Sequence, residues 1–281
     1  MRVESAQRQR GEDRQVHLVI VGGGATGVEL AAELRDAGNL VSGYGLTHFD
    51  ARNDMVITVV EGGPRLLGPL PERVSAAARE SLQRRGIAVE TDCRIAQVTD
   101  TDVVTADGRR LRSDLCVWAA GISAPSWLGE LGLPTNKAGQ LEVDGCLRTP
   151  DPHILAMGDC AAAPRGDGEG IVPARAQAAH QQAEYLARRI GDLLQGVTPA
   201  DEPFKYREHG SLVSLGTSSG VGSLMGGLRD RSLFVSGSLA RLMYMSLHLM
   251  HHKVILGIGR TISVALGRLL LRRAHPRVKL H

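Results

Sequence analysis

Apolar runs with the period of a strand and apolar stripes with the period of a helix follow one another along this chain, and Val16–Leu34 shows both in succession. Val16, Leu18, Val19, Ile20 and Val21 form a run that Gly22-Gly23-Gly24 cuts off, after which Val28, Leu30, Ala31, Ala32 and Leu34 recur at helical spacing. The expected elements are strand, tight turn and helix. Asp36–Asp54 then interrupts the pattern with Gly38, Asn39, Gly43, Gly45 and Asn53, and Met55–Val60 forms a second strand ending at Glu61. Pro71–Arg85 predicts a helix stopped by Gly86, and Ile87–Glu90 a short strand. Ala96–Trp118 alternates around turn signals at Asp100–Asp102 and Asp107-Gly108. This predicts a small antiparallel meander closed by a buried strand, Leu115–Trp118, that exits through Ala119-Ala120-Gly121.

Further along, His153–Met157 reads as an apolar strand and Ile171–Leu194 as a helix. Leu212–Leu228, rich in Gly and Ser with alternating Leu and Val, reads as strands and turns. Ser238–His252 and Thr261–Arg273 read as two apolar helices. Their longest charge-free run, Leu242–His252, is well short of the roughly 18–20 residues a bilayer span requires, so neither is read as a span. Met1–Gln15 is polar and reads as a solvated linker. The expected organisation is α/β: a linker over 1–15, a nucleotide-binding domain over 16–121, a second domain part over 122–200 and a distinct C-terminal region over 201–281.

Composition narrows this picture. A chain of 281 residues that is 43% hydrophobic can build one large or two modest cores and is neither disordered nor fibrous. Cys93, Cys116, Cys146 and Cys160 lie far apart with no CxxC pair, which argues against a zinc ribbon or a local redox dithiol and suits a reducing compartment. The net charge of +3 hides an asymmetry: Arg231–His281 carries nine Lys/Arg and no Asp/Glu, leaving an acidic body and a basic tail. Met1–Arg14 has no apolar core of the kind a signal peptide needs, so the cytoplasmic side is expected. No nucleic-acid partner is expected.

The candidate chemistry begins at Gly22-x-Gly24-x-x-Gly27, which occupies the strand-to-helix setting that a dinucleotide-binding turn requires. In such a turn Gly22 lets the chain leave the strand, Gly24 admits a pyrophosphate to the backbone, and Gly27 lets helix and strand pack closely. Glu61, at the tip of the second strand, is placed to grip ribose hydroxyls and to repel a 2′-phosphate, favouring NADH, although nearby Arg65 opposes that preference. Its distance from Gly27 exceeds the usual spacing of about 20 residues and implies an insertion. Gly121 offers a side-chain-free exit where a nucleotide or flavin passes close by. Gly158-Asp159 places a carboxylate where sugar hydroxyls could donate to it. Gln177 and Gln181 share one helix face among small alanines, which suits recognition of a flat ring with polar edges. In the tail, Arg241, Lys253, Arg260, Arg268, Arg272 and Arg273 beside Leu, Met, Ile and Tyr describe a helix pair lying on an anionic membrane surface, with a dimerisation face or packed hairpin as the alternative.

Together these residues resemble one family, the type II (non-proton-pumping) NADH:quinone oxidoreductases, membrane-surface flavoproteins with two dinucleotide-binding domains. The resemblance is carried by GGGATGVE at 22–29, VVEGGPRLL at 59–67, the T-x6-A-x-G-D pattern at Thr149–Asp159, AQxAxQQ at Ala176–Gln182 and the basic tail. It implies FAD and NAD(H) as cofactors, hydride transfer from NADH to FAD, and onward electron transfer to a membrane quinone. Under it Glu29 lies near the nicotinamide–flavin contact, Gly158 and Asp159 hold the flavin, and Gln177, Ala178 and Gln181 line the quinone pocket, with Glu29 and Gln181 the catalytic candidates. It also implies a Rossmann-type NAD-binding domain, the C-terminal part of a FAD-binding domain and an amphipathic membrane-surface tail, peripheral on the cytoplasmic side of the cell membrane.

The family begins with a flavin-binding βαβ unit that has its own GxGxxG, whereas this sequence holds one such motif. The resemblance therefore makes Gly22–Gly27 the nicotinamide loop of a C-terminal portion, and leaves open a separate chain supplying the other flavin half and a homodimer. Arg175, beside the glutamine motif, is a cation that could alter how a quinone headgroup is held. The competing readings are a non-catalytic NADH-binding membrane-surface protein and another FAD/NAD(P)-dependent oxidoreductase with a soluble acceptor.

Overall fold

The computed structural model describes residues 15–43, 49–166, 170–197, 201–216, 219–225 and 232–273. The expected linker over Met1–Gln15, Gln15 apart, and Gly45 of the expected interruption lie outside the described residues, as do 217–218 and 226–228 of the predicted Leu212–Leu228 segment. The chain divides into two compact units, one built from residues up to Gly121 together with those from His209 onward, the other from Ile122 to Glu208.

The first unit is organised on a four-stranded parallel sheet in the order β3-β2-β1-β7, formed by β1 (Val16–Val21), β2 (Met55–Val60), β3 (Ile87–Glu90) and β7 (Leu115–Trp118). Because side chains alternate across a strand, β1 sends Leu18 and Ile20 into one core and Val19 and Val21 into another, so its apolar run is buried on both faces. The first core is closed by α1 (Ala25–Gly43) and α3 (Glu72–Arg84), which supply Val28, Ala31, Ala32, Val74, Ala78 and Leu82. The second is closed by an antiparallel sheet of β4 (Ile95–Val98), β5 (Asp102–Thr105) and β6 (Arg110–Arg112).

Two expectations for this unit are corrected. Leu115–Trp118 does not close the meander as a buried strand. It pairs in parallel with β1 at the sheet edge, where the layers on either side cover only Cys116 and Val117, leaving Leu115 50% and Trp118 60% exposed. The first helix also does not stop at Asp36. It continues to Gly43, because Gly38 is a packing position whose added Cβ would come within 2.8 Å of Met55 Sδ, and a one-turn helix α2 (Ala51–Asp54) capped by Asp50 leads into β2.

A second antiparallel sheet, β10 (Gly210–Ser214), β11 (Gly220–Met225) and β12 (Ser232–Ser236), adds Val213, Leu215 and Val221 to the core beneath α1 and α3. The predicted pair of C-terminal helices is present: the helical span α5 (Gly237–Arg273) consists of two helices that meet at a kink at Gly257, where φ 75° and ψ 171° suit glycine alone. No described helix is long and apolar enough to cross a membrane.

In the second unit, β8 (Leu141–Glu142) and β9 (Ala161–Ala162) pair in parallel, and α4 (Ala176–Leu194) packs Ala178 and Leu186 with Leu147, Val172 and Phe204. His153–Met157 is not a strand. Pro150 and Pro152 lack N–H donors and Ile154 N donates back to Asp151, so only a single bridge, Arg148 to Leu155, survives. The helix expected from Ile171 begins at Ala176, since Ile171 bridges Pro164, Val172 donates to Ala163, and Pro173 follows.

Arg35 holds the first core's margin together. It is 2% exposed, and its guanidinium donates to the carbonyls of Ala51, Met55 (2.9 Å) and Gly86 (3.2 Å), joining α1 to α2, β2 and the turn after α3. Arg35→Ala leaves those acceptors without their donor inside a packed core, and we expect a loss of about 3 kcal/mol in urea unfolding. A loss below about 1 kcal/mol, the ordinary net worth of one hydrogen bond, would contradict this role.

Candidate functional site

Where β1, β2 and β7 end, a cavity of about 450 Å³ opens, lined by Gly22, Gly24, Glu61, Arg94, Trp118 and Gly121 among others. From β1 the neighbouring strands run to β2 on one side and β7 on the other, and this switch point at the carboxyl ends of the strands is where open α/β sheets bind ligands. The glycines divide their roles by steric contact. Gly22, at φ 117°, carries no Cβ because one would overlap the backbone of Ala119, and a Cβ on Gly27 would overlap the carbonyl oxygen of Gly22. Gly24 differs: a Cβ there meets nothing within 4 Å, so the room it leaves faces open space, not protein.

The start of α1 faces the same loop. Gly24 O accepts from Val28 N at 3.0 Å, and the first N–H groups of a helix have no intrahelical partner, which suits an anionic group. Glu61 sits on the cavity wall with its carboxylate fixed by Gly23 N (2.6 Å) and Gly63 N (2.7 Å). Gly23, outside the GxGxxG pattern, has its own constraint, since a Cβ would come within 2.6 Å of Leu66 Cδ2 and 2.9 Å of Glu61 Oε2. Of the insertion implied by the spacing, the described residues include the extension of α1 to Gly43 and the short helix α2. Arg65 is turned away, its guanidinium donating to the carbonyls of Leu70 (2.6 Å) and Gly68 (2.5 Å). Among the described residues, the cation lining the cavity is Arg94, which sequence reading missed because no strand-tip pattern marks a residue in the connection after β3.

Glu29, on α1, is not part of that lining. Its carboxylate accepts from Ser214 N (2.9 Å) and from Tyr244 Oη (3.4 Å), which ties α1 to β10 and α5. Burial raises the Glu29 pKa above the usual carboxylate value, with the Ser214 and Tyr244 hydrogen bonds pulling the other way. Arg241 is not turned outward as the tail pattern suggested; its guanidinium donates to the Gly216 carbonyl. The side chains of Arg268, Arg272 and Arg273 lie outside the described residues.

In the second unit, Asp159 lines a cavity of about 170 Å³ with Gln140, Val172 and Pro173. Thr149 Oγ1 donates to Ile154 O (2.9 Å) and accepts from Asp151 N (3.2 Å), which fixes the start of the segment, and Gln140 Nε2 donates to Asp159 O (2.9 Å). Gly158, at φ 68°, donates its N–H to Gln182 Oε1 (2.7 Å), and Gln182 is 2% exposed. This buried amide is a residue sequence reading passed over; the doubled glutamine ending AQxAxQQ was its only signal.

On α4, Gln177 Nε2 donates to Glu208 Oε1 (2.7 Å), and Arg175 pairs with Glu208 Oε2 (3.1 Å). Tyr206 Oη donates to the same oxygen (3.2 Å), and burial, then the Glu208 charge, pushes the Tyr206 pKa up to about 12. Gln181 exchanges two 2.9 Å hydrogen bonds with the backbone of Arg207, and Ala178 is buried. The structure thus brings Gln177 and Gln181 together on one helix face, each engaged by the segment at 207–208.

Residues 1–183 match the pyridine nucleotide-disulphide oxidoreductase family. The chain is similar to a type II NADH:quinone oxidoreductase of Haemophilus influenzae, at 40% identity over 272 residues covering 96% of this chain and 60% of that protein. It is also similar to type II NADH:quinone oxidoreductase Ndh of Mycobacterium tuberculosis, at 31% identity over 94% of this chain and 56% of that one. The chain therefore spans under two thirds of the length of these relatives. Among solved structures, NDH2 of Plasmodium falciparum in complex with NADH shares the fold at a TM-score of 0.79, with 18% identity, covering 100% of this chain and 72% of that one.

Because the folded state binds the Glu29 proton more tightly than an unfolded chain does, stability falls as pH rises from the unfolded value, near 4.5, through the raised folded one. Glu29→Gln keeps an acceptor for Ser214 N and removes the ionisation. Its stability relative to wild type is expected to rise across that window and level off above it, read by urea unfolding of both proteins from about pH 4 to about pH 8. A difference independent of pH would contradict the assignment.

Proposed function

Since this chain belongs to the pyridine nucleotide-disulphide oxidoreductases, we propose that it carries the nicotinamide-binding part of an NADH:quinone oxidoreductase acting at a membrane surface. The observation that carries this reading is the cavity at the strand ends, where Gly24 leaves open space beside a helix N-terminus and Glu61 is held in place by two backbone donors. In this reading Gly22, Gly24 and Gly27 seat the pyrophosphate of NAD(H) against the start of α1. Glu61 accepts from the ribose hydroxyls, and Gly121, at φ 109°, keeps the cavity rim free of a side chain.

FAD fits the second unit through the chemistry of the Asp159 segment. Among the described residues nothing donates to the Asp159 carboxylate, and it lines a cavity of about 170 Å³, so it is free to accept from sugar hydroxyls. Gly158, held by Gln182, orients it. When bound, FAD would supply the redox chemistry of the reaction, while the protein supplies position and electrostatics. Gln177 and Gln181 form the quinone-facing part of α4, with the Arg175–Glu208 pair bracing Gln177, while Ala178, also expected there, packs into the core behind them. Glu29, whose pKa burial raises, is the residue proposed to lie near the nicotinamide–flavin contact.

The tail supplies the location. Ile255 is 82% and Ile258 62% exposed, with Leu242, Ile262 and Leu266 also outward, while Lys253 and Arg260 stand exposed on the same helical run. An apolar surface flanked by cations matches an interfacial helix lying on anionic lipid. The cytoplasmic face of the cell membrane is the side proposed.

Two outcomes test this reading. Glu61→Ala is expected to weaken NADH binding by about 1–3 kcal/mol in a nicotinamide-fluorescence titration, the worth of hydrogen bonds to a charged group. Unchanged affinity would remove Glu61 from the site. The protein is also expected to float with vesicles containing anionic lipid more than with neutral ones, added salt releasing part of it, and Ile255→Asp with Ile258→Asp is expected to abolish the salt-resistant fraction. Equal partition to both vesicle types, or none, would refute the membrane assignment.

A further inference from the structure

Among the described residues, the lining of the strand-end cavity holds one anion, Glu61, and one cation, Arg94. The two are neighbours across the loop that follows β2: a Cβ on Gly62, next in sequence to Glu61, would stand 3.5 Å from Arg94 Cγ, so the arginine stem runs alongside that loop. Nearby Arg109 is engaged, donating to Glu90 (2.9 Å) and Asp107 (3.2 Å). Arg94 differs from it, since among the described residues no carboxylate pairs with its guanidinium. Its main chain is committed to the fold through Ala106 N, which donates to Arg94 O (2.8 Å), while its side chain is exposed to the cavity mouth.

A carboxylate fixed at the tip of β2 by two backbone donors cannot turn away from a phosphate esterified to the ribose 2′-hydroxyl, and alone it would exclude one. A guanidinium presents several donors in a planar fork that matches phosphate oxygens. From this juxtaposition we propose that Arg94 is a specificity-determining residue that offsets Glu61 and lets the site accept the 2′-phosphorylated dinucleotide, NADPH, as well as NADH. The inference rests on the dinucleotide reading of the cavity and adds the identity of the group that sets its cofactor tolerance.

The test is a pair of fluorescence titrations, with NADH and with NADPH, on wild type, Arg94→Ala and Arg94→Lys. Because the side chain is exposed and the fold uses only its backbone, both variants are expected to remain folded. Wild type is expected to bind both dinucleotides. Arg94→Ala is expected to leave NADH affinity within about threefold and to weaken NADPH by about tenfold or more, as the loss of a charge-assisted contact would, with Arg94→Lys, which keeps the charge but not the planar fork, recovering part of it. Equal losses for both, no change for either, or a wild type that binds NADH and not NADPH would overturn the role of Arg94 and leave the dinucleotide site standing. A wild type that binds neither would overturn the site reading and this inference with it.

Discussion

The contact between Gly27 and the carbonyl of Gly22 is the constraint from which the first unit is assembled. With no side chain at either position, α1 can rise directly off the end of β1, and with none at Gly22 the loop can lie against Ala119 beyond β7. The end of β1, the start of α1 and the distant chain after β7 therefore meet within one turn of chain. Their meeting point lies at the carboxyl end of the sheet, with the helix start beside it, so a steric requirement of packing is also what leaves an opening for an anionic ligand.

Glu61 turns that opening into a defined site. Its carboxylate takes N–H groups from Gly23 and Gly63, and Leu67 N returns a hydrogen bond to Gly23 O (2.8 Å), so the loops after β1 and β2 hold one another. Acceptor positions fixed in this way need no reorganisation when a sugar hydroxyl arrives. The C-terminal sheet completes the arrangement from the other side of α1: Arg85 joins Asp36 (2.6 Å) to the carbonyl of Leu215 (2.5 Å), and Glu29 is buried against Ser214 and Tyr244. The helix that begins at the cavity is thus anchored along its length to the sheet that carries α5.

The strand, glycine turn and helix at Val16–Leu34 were legible in the sequence because period and turn chemistry agree there, and so was Glu61, which follows an unbroken apolar strand. Gly121 was legible because a run of small residues closes β7. The failures have physical causes. His153–Met157 has the composition of a strand, but the prolines before it leave no ladder to join. Gly38 resembled a helix end and is a contact with Met55. Arg35, Arg94 and Gln182 could not be found from local pattern, since each acts on backbone or space supplied by segments far along the chain, and a charged or amide residue on a helix or in a connection has no periodicity that marks it as buried or cavity-lining.

The central claim is that a nicotinamide dinucleotide binds at the strand-end cavity, and amide hydrogen exchange of the full chain with and without NADH addresses it without requiring turnover. Slower exchange is predicted in three stretches that line one cavity and are separate in sequence: 22–28 at the start of α1, 61–63 after β2, and 118–121 after β7. The amides of α5 beyond Gly257 are predicted to be unaffected. Protection absent from 22–28, or appearing only in segments that do not line the cavity, would contradict the account.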